Sequence, residues 1–496
     1  MEDYEEHDAV GLADLVARGE VSPAELVREA QRRIEDHDPT YGFIAHRFDA
    51  EVALTALPSS GPFRGVPFLL KDQLEVAGQP MTLGSRLLKD WTPPHTHPLA
   101  SRFVETGLVP LGRTTMSELG LLPTSESAAF GVTHNPWAKG YSPGGSSGGA
   151  AVAVTAGVVP IAHAVDGGGS IRIPASACGL IGLKPSRGRH PGWADDPPQG
   201  FVSHFAVTRT VRDTAALLDA TYVSAGRFRL PAPEVPYASV IERDPAPLRI
   251  GLTPTGLFGE APHPEVLASL TSTVEQLVAL GHTVEEVRPP LEVDRFVAAF
   301  RVLWATAAGI FLAIAQRDAP LPSWLRPLTR PPTVFRLLTA LSGGVEPFTR
   351  RLARLQQALA PTDLWLAEMD LEAAAASLQI YFETYDLWLT PTLLQPPPKH
   401  GFFDLGLSDE ALGRQIFGLI GFTAIANGTG IPAISLPAGL AAGLPVGVQF
   451  MAPMGREDRL LALAGQLERA SSPDDPLAWP VHWKRFNEAA TSGWSS

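Results

Sequence analysis

Residues 142–149 read Ser-Pro-Gly-Gly-Ser-Ser-Gly-Gly and run without a polar break into Ala150-Ala151-Val152-Ala153-Val154. That continuation argues against a flexible linker, because Gly/Ser linkers sit between polar segments and this one leads into residues that favour burial. The fit of Gly145-Ser146-Ser147-Gly148-Gly149 to the G-x-S-x-G nucleophile turn also fails. Such a turn follows an apolar strand, whereas Ala138-Lys139-Gly140-Tyr141-Ser142-Pro143 is polar and contains a proline. What remains is a glycine-rich turn at the start of a buried helix, where backbone N–H groups can approach another group closely.

A second stretch of this kind is Asp166-Gly167-Gly168-Gly169-Ser170-Ile171-Arg172-Ile173-Pro174. Three glycines before a serine can aim successive N–H groups at one point, as an oxyanion hole requires. A plain tight turn explains three glycines equally well, so this stretch alone decides nothing.

Around both stretches, short apolar runs alternate with helical patterns. Residues 65–70 read as a buried strand ending in Lys71-Asp72, and residues 108–111 and 158–163 read as strands too. Residues 149–157 are small and Ala-rich and suit a tightly packed helix. Ser22-Pro23-Ala24-Glu25 opens another, with Ser22 as cap, Pro23 at the first helical position and Glu25 completing a capping box. Residues 267–284 read as a helix running into a strand, and residues 427–440 and 444–450 as turn-rich strand segments. This alternation predicts an α/β fold with a mixed sheet. Residues 295–385 predict a helical segment that covers something, and most of its aromatics (Phe296, Phe300, Trp304, Phe311, Trp324, Phe335, Trp365, Phe382) are expected to be packing core. Residues 395–398 are a stiff proline loop and residues 490–496 a frayed tail. No repeat or linker divides the chain, so one domain over residues 1–496 is expected.

Composition excludes several function classes. The 496 residues carry a formal net charge of −13 with no long Lys/Arg block, which argues against nucleic acid as the main ligand. The single cysteine, Cys178, rules out a disulfide within the chain and is expected to be a small core residue. The first residues, Met1 to Val10, are acidic and lack the pattern of a secretory signal, and no run of eighteen apolar residues suggests a membrane span. A cytoplasmic protein without membrane association is expected. His95 and His97 sit in a Pro-rich stretch without a third ligand, so a solvated loop is expected rather than a metal site.

The two serine stretches have a joint meaning. The first serine of G-G-S-S-G-G, Ser146, precedes Ser170 by 170 − 146 = 24 residues. That spacing, with GGGSIRIPASACGLIGLKPSRGR over residues 167–189, resembles the amidase signature family. Gly65-Val66-Pro67 before Leu70-Lys71-Asp72, Asn135-Pro136-Trp137, Leu389-Thr390-Pro391-Thr392, Gly430-Ile431-Pro432, Gly443-Leu444-Pro445 and Gly455-Arg456-Glu457-Asp458 agree, so the resemblance runs from about residue 10 to about residue 468. It implies a central mixed β-sheet covered by helices on both faces, with a catalytic core at about 60–190, a variable substrate-pocket segment at about 295–385 and C-terminal sheet elements at about 386–470.

It also implies an amidase with Ser170 as nucleophile, Ser146 as bridging serine after a cis peptide bond at Gly145–Ser146, and Lys71 as base. The chemistry is coherent on its own terms. A serine hydroxyl needs a base to take its proton, and a lysine can serve only when neutral, which burial favours. Gly167, Gly168, Gly169 and Ser170 would offer N–H groups to the oxyanion. Gly120 and Trp304 are expected to line the substrate pocket. Ser147, Asp166 and Arg172 are expected to support the turn. Val165-Asp166 stands where the family commonly has Thr-Asp, and Arg113 where lysine is common; no triad position is missing.

No cofactor or metal is implied. The expected partner is a small amide substrate, for a monomer or homodimer. The stretch SGPFRGVPFLLKD (60–72) resembles the branch that hydrolyses the cyclic dimer of 6-aminohexanoate, a nylon oligomer. Aryl amides, linear aliphatic amides, esters and carbamates (urethanase activity) all stay open. The alternatives are an A-type subunit of a glutamyl-tRNA amidotransferase and a non-catalytic scaffold.

Overall fold

The computed structural model describes residues 3–191, 200–224, 230–318 and 344–471. Among the described residues eleven strands form one mixed sheet. Across it run Ile44–Arg47, Val109–Thr114, Pro67–Lys71, Ile161–Asp166, Ser203–Thr208, Ile181–Lys184, Ala433–Ala441, Leu444–Met451, Leu387–Pro391, Arg249–Leu252 and Thr283–Glu286. Side chains alternate between the two faces of a strand, and here both faces are buried. Ile434, Leu389 and Phe450 enter one apolar core, while their neighbours Ala433, Trp388 and Met451 enter the other. Both faces are therefore covered, as the α/β expectation requires.

The helices arise where the local signals place them. Pro23–Tyr41 begins on a complete capping box, with Ser22 Oγ accepting from Glu25 N and Glu25 Oε2 accepting from Ser22 N at 2.8 Å. Gly148–Thr155 follows the Gly/Ser turn and is buried on all sides. Residues 142–149 are themselves buried throughout, which disposes of the linker.

Two parallel neighbours, Pro67–Lys71 and Ile161–Asp166, end at the same edge. Their last residues, with the turns that follow, build the candidate site there. Carboxyl ends of parallel strands are where α/β sheets bind ligands.

The segment expected to be helical contains Val293–Asp318, Pro347–Ala358 and Pro361–Tyr381. Phe296, Phe300, Trp304 and Phe382 join the second core or pack against it, whereas Trp365 is exposed. Trp324, Phe335 and the tail at 490–496 lie outside the described residues. Val293–Ala313 is long and apolar enough to cross a membrane by length and composition. In the fold it buries Phe296, Ala299, Phe300, Leu303 and Ala308 in the second core.

Two expectations are corrected. Residues 427–429 belong to the helix Thr423–Thr429, and the strand begins only at Ala433. His97 is not in a solvated loop. It is buried and caps the helix Pro98–Glu105, its Nδ1 accepting from Leu99 N at 3.1 Å, and its ring stacks on His204. His95 is exposed.

Candidate active site

The last residue of the strand Pro67–Lys71 is fully buried. The Lys71 Nζ lies 2.7 Å from Ser146 Oγ and 3.4 Å from the Val165 carbonyl. Its backbone N–H donates to His163 Nδ1 at 3.2 Å, which fixes the strand end. Burial depresses the Lys71 ammonium from 10.5 to about 7, with the Asp166 charge working in the opposite direction. A substantial neutral fraction therefore exists near pH 7.

Ser146 follows a cis peptide bond from Gly145. Gly145 fits only without a side chain, since a Cβ there would lie 2.0 Å from the Thr124 carbonyl oxygen. Ser147 faces the neighbouring strand. Its Oγ donates to the Val165 carbonyl at 3.1 Å and lies 3.2 Å from the Val165 N–H, which donates to it.

Ser170 stands between the strand Ile161–Asp166 and the helix Arg172–Cys178. It is 8 % exposed and lines the same cleft as Ser146. Asp166 shapes the turn before it. Its carboxylate accepts from Gly169 N at 2.7 Å, Ile171 N at 3.1 Å, and Arg172 Nε and Nη2 at 2.9 and 2.8 Å. Burial works to raise the Asp166 carboxyl, but the Arg172 guanidinium outweighs it and holds it at about 2. Asp166 and Arg172 thus hydrogen-bond the glycine turn and each other.

The set of oxyanion donors needs correction. The Gly169 N–H is already given to Asp166, so it is not free for an oxyanion. The N–H groups of Gly167, Gly168 and Ser170 have no acceptor among the described residues. Gly120 N donates to Ser117 O, so Gly120 is a wall rather than a donor. A Cβ at Gly120 would come within 3.2 Å of Ser146 Oγ.

Several residues in this arrangement were not singled out from sequence. Arg172 Nη1 donates to Gln449 Oε1 at 2.6 Å and Arg172 Nη2 to Asn427 Oδ1 at 2.7 Å. Asn427 Nδ2 donates to the Asp166 carbonyl, and Thr423 Oγ1 to the Gly168 carbonyl at 2.7 Å. These partners come from chain more than 250 residues away, and no local pattern assigns them. His163 was likewise missed.

The cleft encloses about 640 Å³ of non-protein space, part of it open to solvent. Leu119, Phe201, Phe300, Trp304 and Ile420 line it, with Gln73 on the polar side. No charged side chain is among the described lining residues. Cys178 is buried away from it, and burial raises its thiol pKa. Among the described residues no group of three or more His, Cys, Asp or Glu side chains is placed to hold a metal ion.

Comparison with known proteins supplies the context. Residues 25–461 match the Amidase family model. The AmiC protein of Mycobacterium tuberculosis (strain ATCC 25618 / H37Rv) is 38% identical over 470 residues, covering 93% of this chain and 94% of its own. The 6-aminohexanoate-cyclic-dimer hydrolase of Paenarthrobacter ureafaciens is 35% identical over 486 residues, covering 93% and 94%. A solved structure of 6-aminohexanoate cyclic dimer hydrolase with substrate superposes with a TM-score of 0.86 at 31% identity, covering 97% of this chain and 98% of that one.

Proposed function

The chain belongs to the amidase family and is an amide-hydrolysing enzyme, and from that premise we propose that hydrolysis runs through an acyl-enzyme on Ser170. Ser170 Oγ attacks the amide carbonyl. Its proton passes to Ser146 Oγ as the Ser146 proton passes to neutral Lys71 Nζ. The N–H groups of Gly167, Gly168 and Ser170 stabilise the oxyanion, work for which each donor is typically worth about 10²–10³ in rate. The proton then returns through Ser146 to the leaving amine, which leaves badly unless protonated. Water attacks the Ser170 ester by the same relay and releases the acid.

The observation that carries this reading is the 2.7 Å contact between Lys71 Nζ and Ser146 Oγ, in a site that holds the amine near neutrality. The apolar, aromatic lining supports a small hydrophobic substrate, either an aryl amide or a linear aliphatic amide of nylon-oligomer type. Esters and carbamates that fit present the same acyl carbon. An A-type amidotransferase subunit is less well supported, because the described lining offers no charged side chain to the α-ammonium or α-carboxylate of glutamine.

The test is a panel of aryl amides, linear aliphatic amides, cyclic amides, esters and carbamates with the purified chain. Turnover of neutral hydrophobic amides, abolished in a folded Ser170→Ala variant, supports the proposal. Substantial turnover by that variant overturns it.

A further inference from the structure

Beyond Trp304 the cleft has a neighbour. A second cavity, enclosing about 450 Å³ of non-protein space that is partly open to solvent, adjoins it, and Trp304 and Ile416 line both spaces. On the helix Val293–Asp318, Phe300, Trp304, Ala307 and Phe311 face the cleft at helical spacing. Arg301 lies one position round the helix from Phe300 and reaches the second cavity. The cavity walls are otherwise apolar, with Phe348, Leu352, Leu412 and Phe417 among them. The Phe348 ring lies 5.5 Å from that of Trp304, centroid to centroid.

Among the described residues three charged groups line this cavity: Arg301, Arg351 and Asp409. Two neutralise one another. Arg351 Nε donates to Asp409 Oδ1, and its other nitrogens donate to the Leu405 and Leu407 carbonyls. Arg301 has no hydrogen bond or ion pair with a described residue. Among the described residues the cavity therefore holds one unbalanced cation against an apolar wall, next to a cleft with no charged side chain in its described lining.

We propose that this second cavity is a subsite for the distal arm of the substrate, and that the arm ends in a carboxylate held by Arg301. The inference rests on the Ser170 reading for the position of the reacting carbonyl. An apolar arm of methylenes or an aryl spacer suits the shared Trp304 and Ile416 walls. A carboxylate entering a partly apolar space needs a charged partner. A guanidinium meets a carboxylate through two parallel N–H donors, a geometry an ammonium cannot match. Arg301 is then a specificity-determining residue that takes no part in bond breaking.

Matched substrates test this. On the acyl side, the p-nitroanilide of hexanoic acid is compared with the mono-p-nitroanilide of adipic acid. On the amine side, N-benzoylhexylamine is compared with the N-benzoyl derivative of the ω-amino acid of equal length. Wild type is expected to prefer the carboxylate member of at least one pair by about tenfold in kcat/KM, the preference falling as salt rises. Arg301→Gln is expected to remove that preference through KM while leaving the neutral member within about twofold. Arg301→Lys is expected to restore part of it.

Wild type favouring the methyl-ended members in both pairs, or Arg301→Gln lowering both members equally, overturns the proposal. Failure of the Ser170 reading looks different, since neutral members would then be turned over as well by Ser170→Ala as by wild type.

Discussion

Replacing Lys71 by methionine should make this enzyme inactive and more stable, and the stability gain should depend on pH in a defined way. In the unfolded chain the amine holds its proton up to about 10.5; in the fold it gives it up above about 7. Between those values the unfolded state binds one proton more than the folded state. Wild-type stability therefore rises with pH through this window, and the Lys71 contribution is a cost that is largest at its lower end. At about 1.4 kcal/mol per pH unit, less the half-protonation at the folded midpoint, the cost at pH 7 is about 4 kcal/mol.

Methionine has similar length and no charge. The variant loses the contact to Ser146 and leaves that buried hydroxyl without its partner, which offsets about 1–3 kcal/mol. A net gain of about 1–3 kcal/mol at pH 7 is expected. The offset from packing and hydrogen bonding is the same at every pH, so the slope isolates the amine. Lys184, also buried and depressed to about 7, is common to both proteins and drops out of the difference. Urea unfolding at pH 8, 9 and 10 should show the stability of the variant relative to wild type falling by about 2–3 kcal/mol over the series. A relative stability that stays constant or rises with pH would refute the neutral buried amine.

Three further outcomes concern the reaction. The acid limb of kcat/KM should have its midpoint near pH 7 and fall about tenfold per pH unit below it, as protonation removes the base; a flat profile from pH 8 to pH 5 contradicts it. Asp166→Asn removes the charge that favours the Lys71 ammonium and leaves the Arg172 cation unpaired, so the acid limb should move to lower pH while kcat falls. An upward move would contradict the electrostatic account. Gly169→Ala should lower kcat about 10²-fold or more, because Gly169 has φ +127 and a Cβ there would lie 2.3 Å from Thr423 Oγ1 and 2.7 Å from Ile173 Cδ1. Kinetics within fivefold of wild type would show that the turn tolerates displacement.

What the sequence made legible was local, or tied to a fixed spacing. Ser22 and Glu25 announce their helix because each caps the other across four residues. The apolar run ending at Lys71 placed that amine at a strand end, a position that suits a surface lysine as well, and only the fold shows it buried. Asn427 reads as part of a turn-rich strand segment, with Gly428, Gly430 and Pro432 close behind it. They are instead a helix stop, with Gly430 at φ +82 as the cap and a proline two residues on. His97 carried a similar signal, since Pro98 after it marks a first helical position and makes His97 the cap. The Asp166–Arg172–Asn427–Gln449 network has no local signature, because its members meet only when the strand Leu444–Met451 and the helix Thr423–Thr429 close over the glycine turn. The direction of the Gly169 N–H was equally hidden: composition gives three glycines, and only the backbone path decides which amides point at Asp166 and which stay free.

Ser170, rather than any of the three serines of the Gly/Ser turn at 142–149, is the proposed site of the covalent intermediate, with Lys71 and Ser146 behind it. Treatment with a fluorophosphonate, followed by proteolysis and mass spectrometry, tests this most directly. One adduct is expected, on Ser170, formed at a rate that falls steeply in Lys71→Met. An adduct on Ser146 or Ser147, or labelling of Ser170 at an undiminished rate without Lys71, would contradict it.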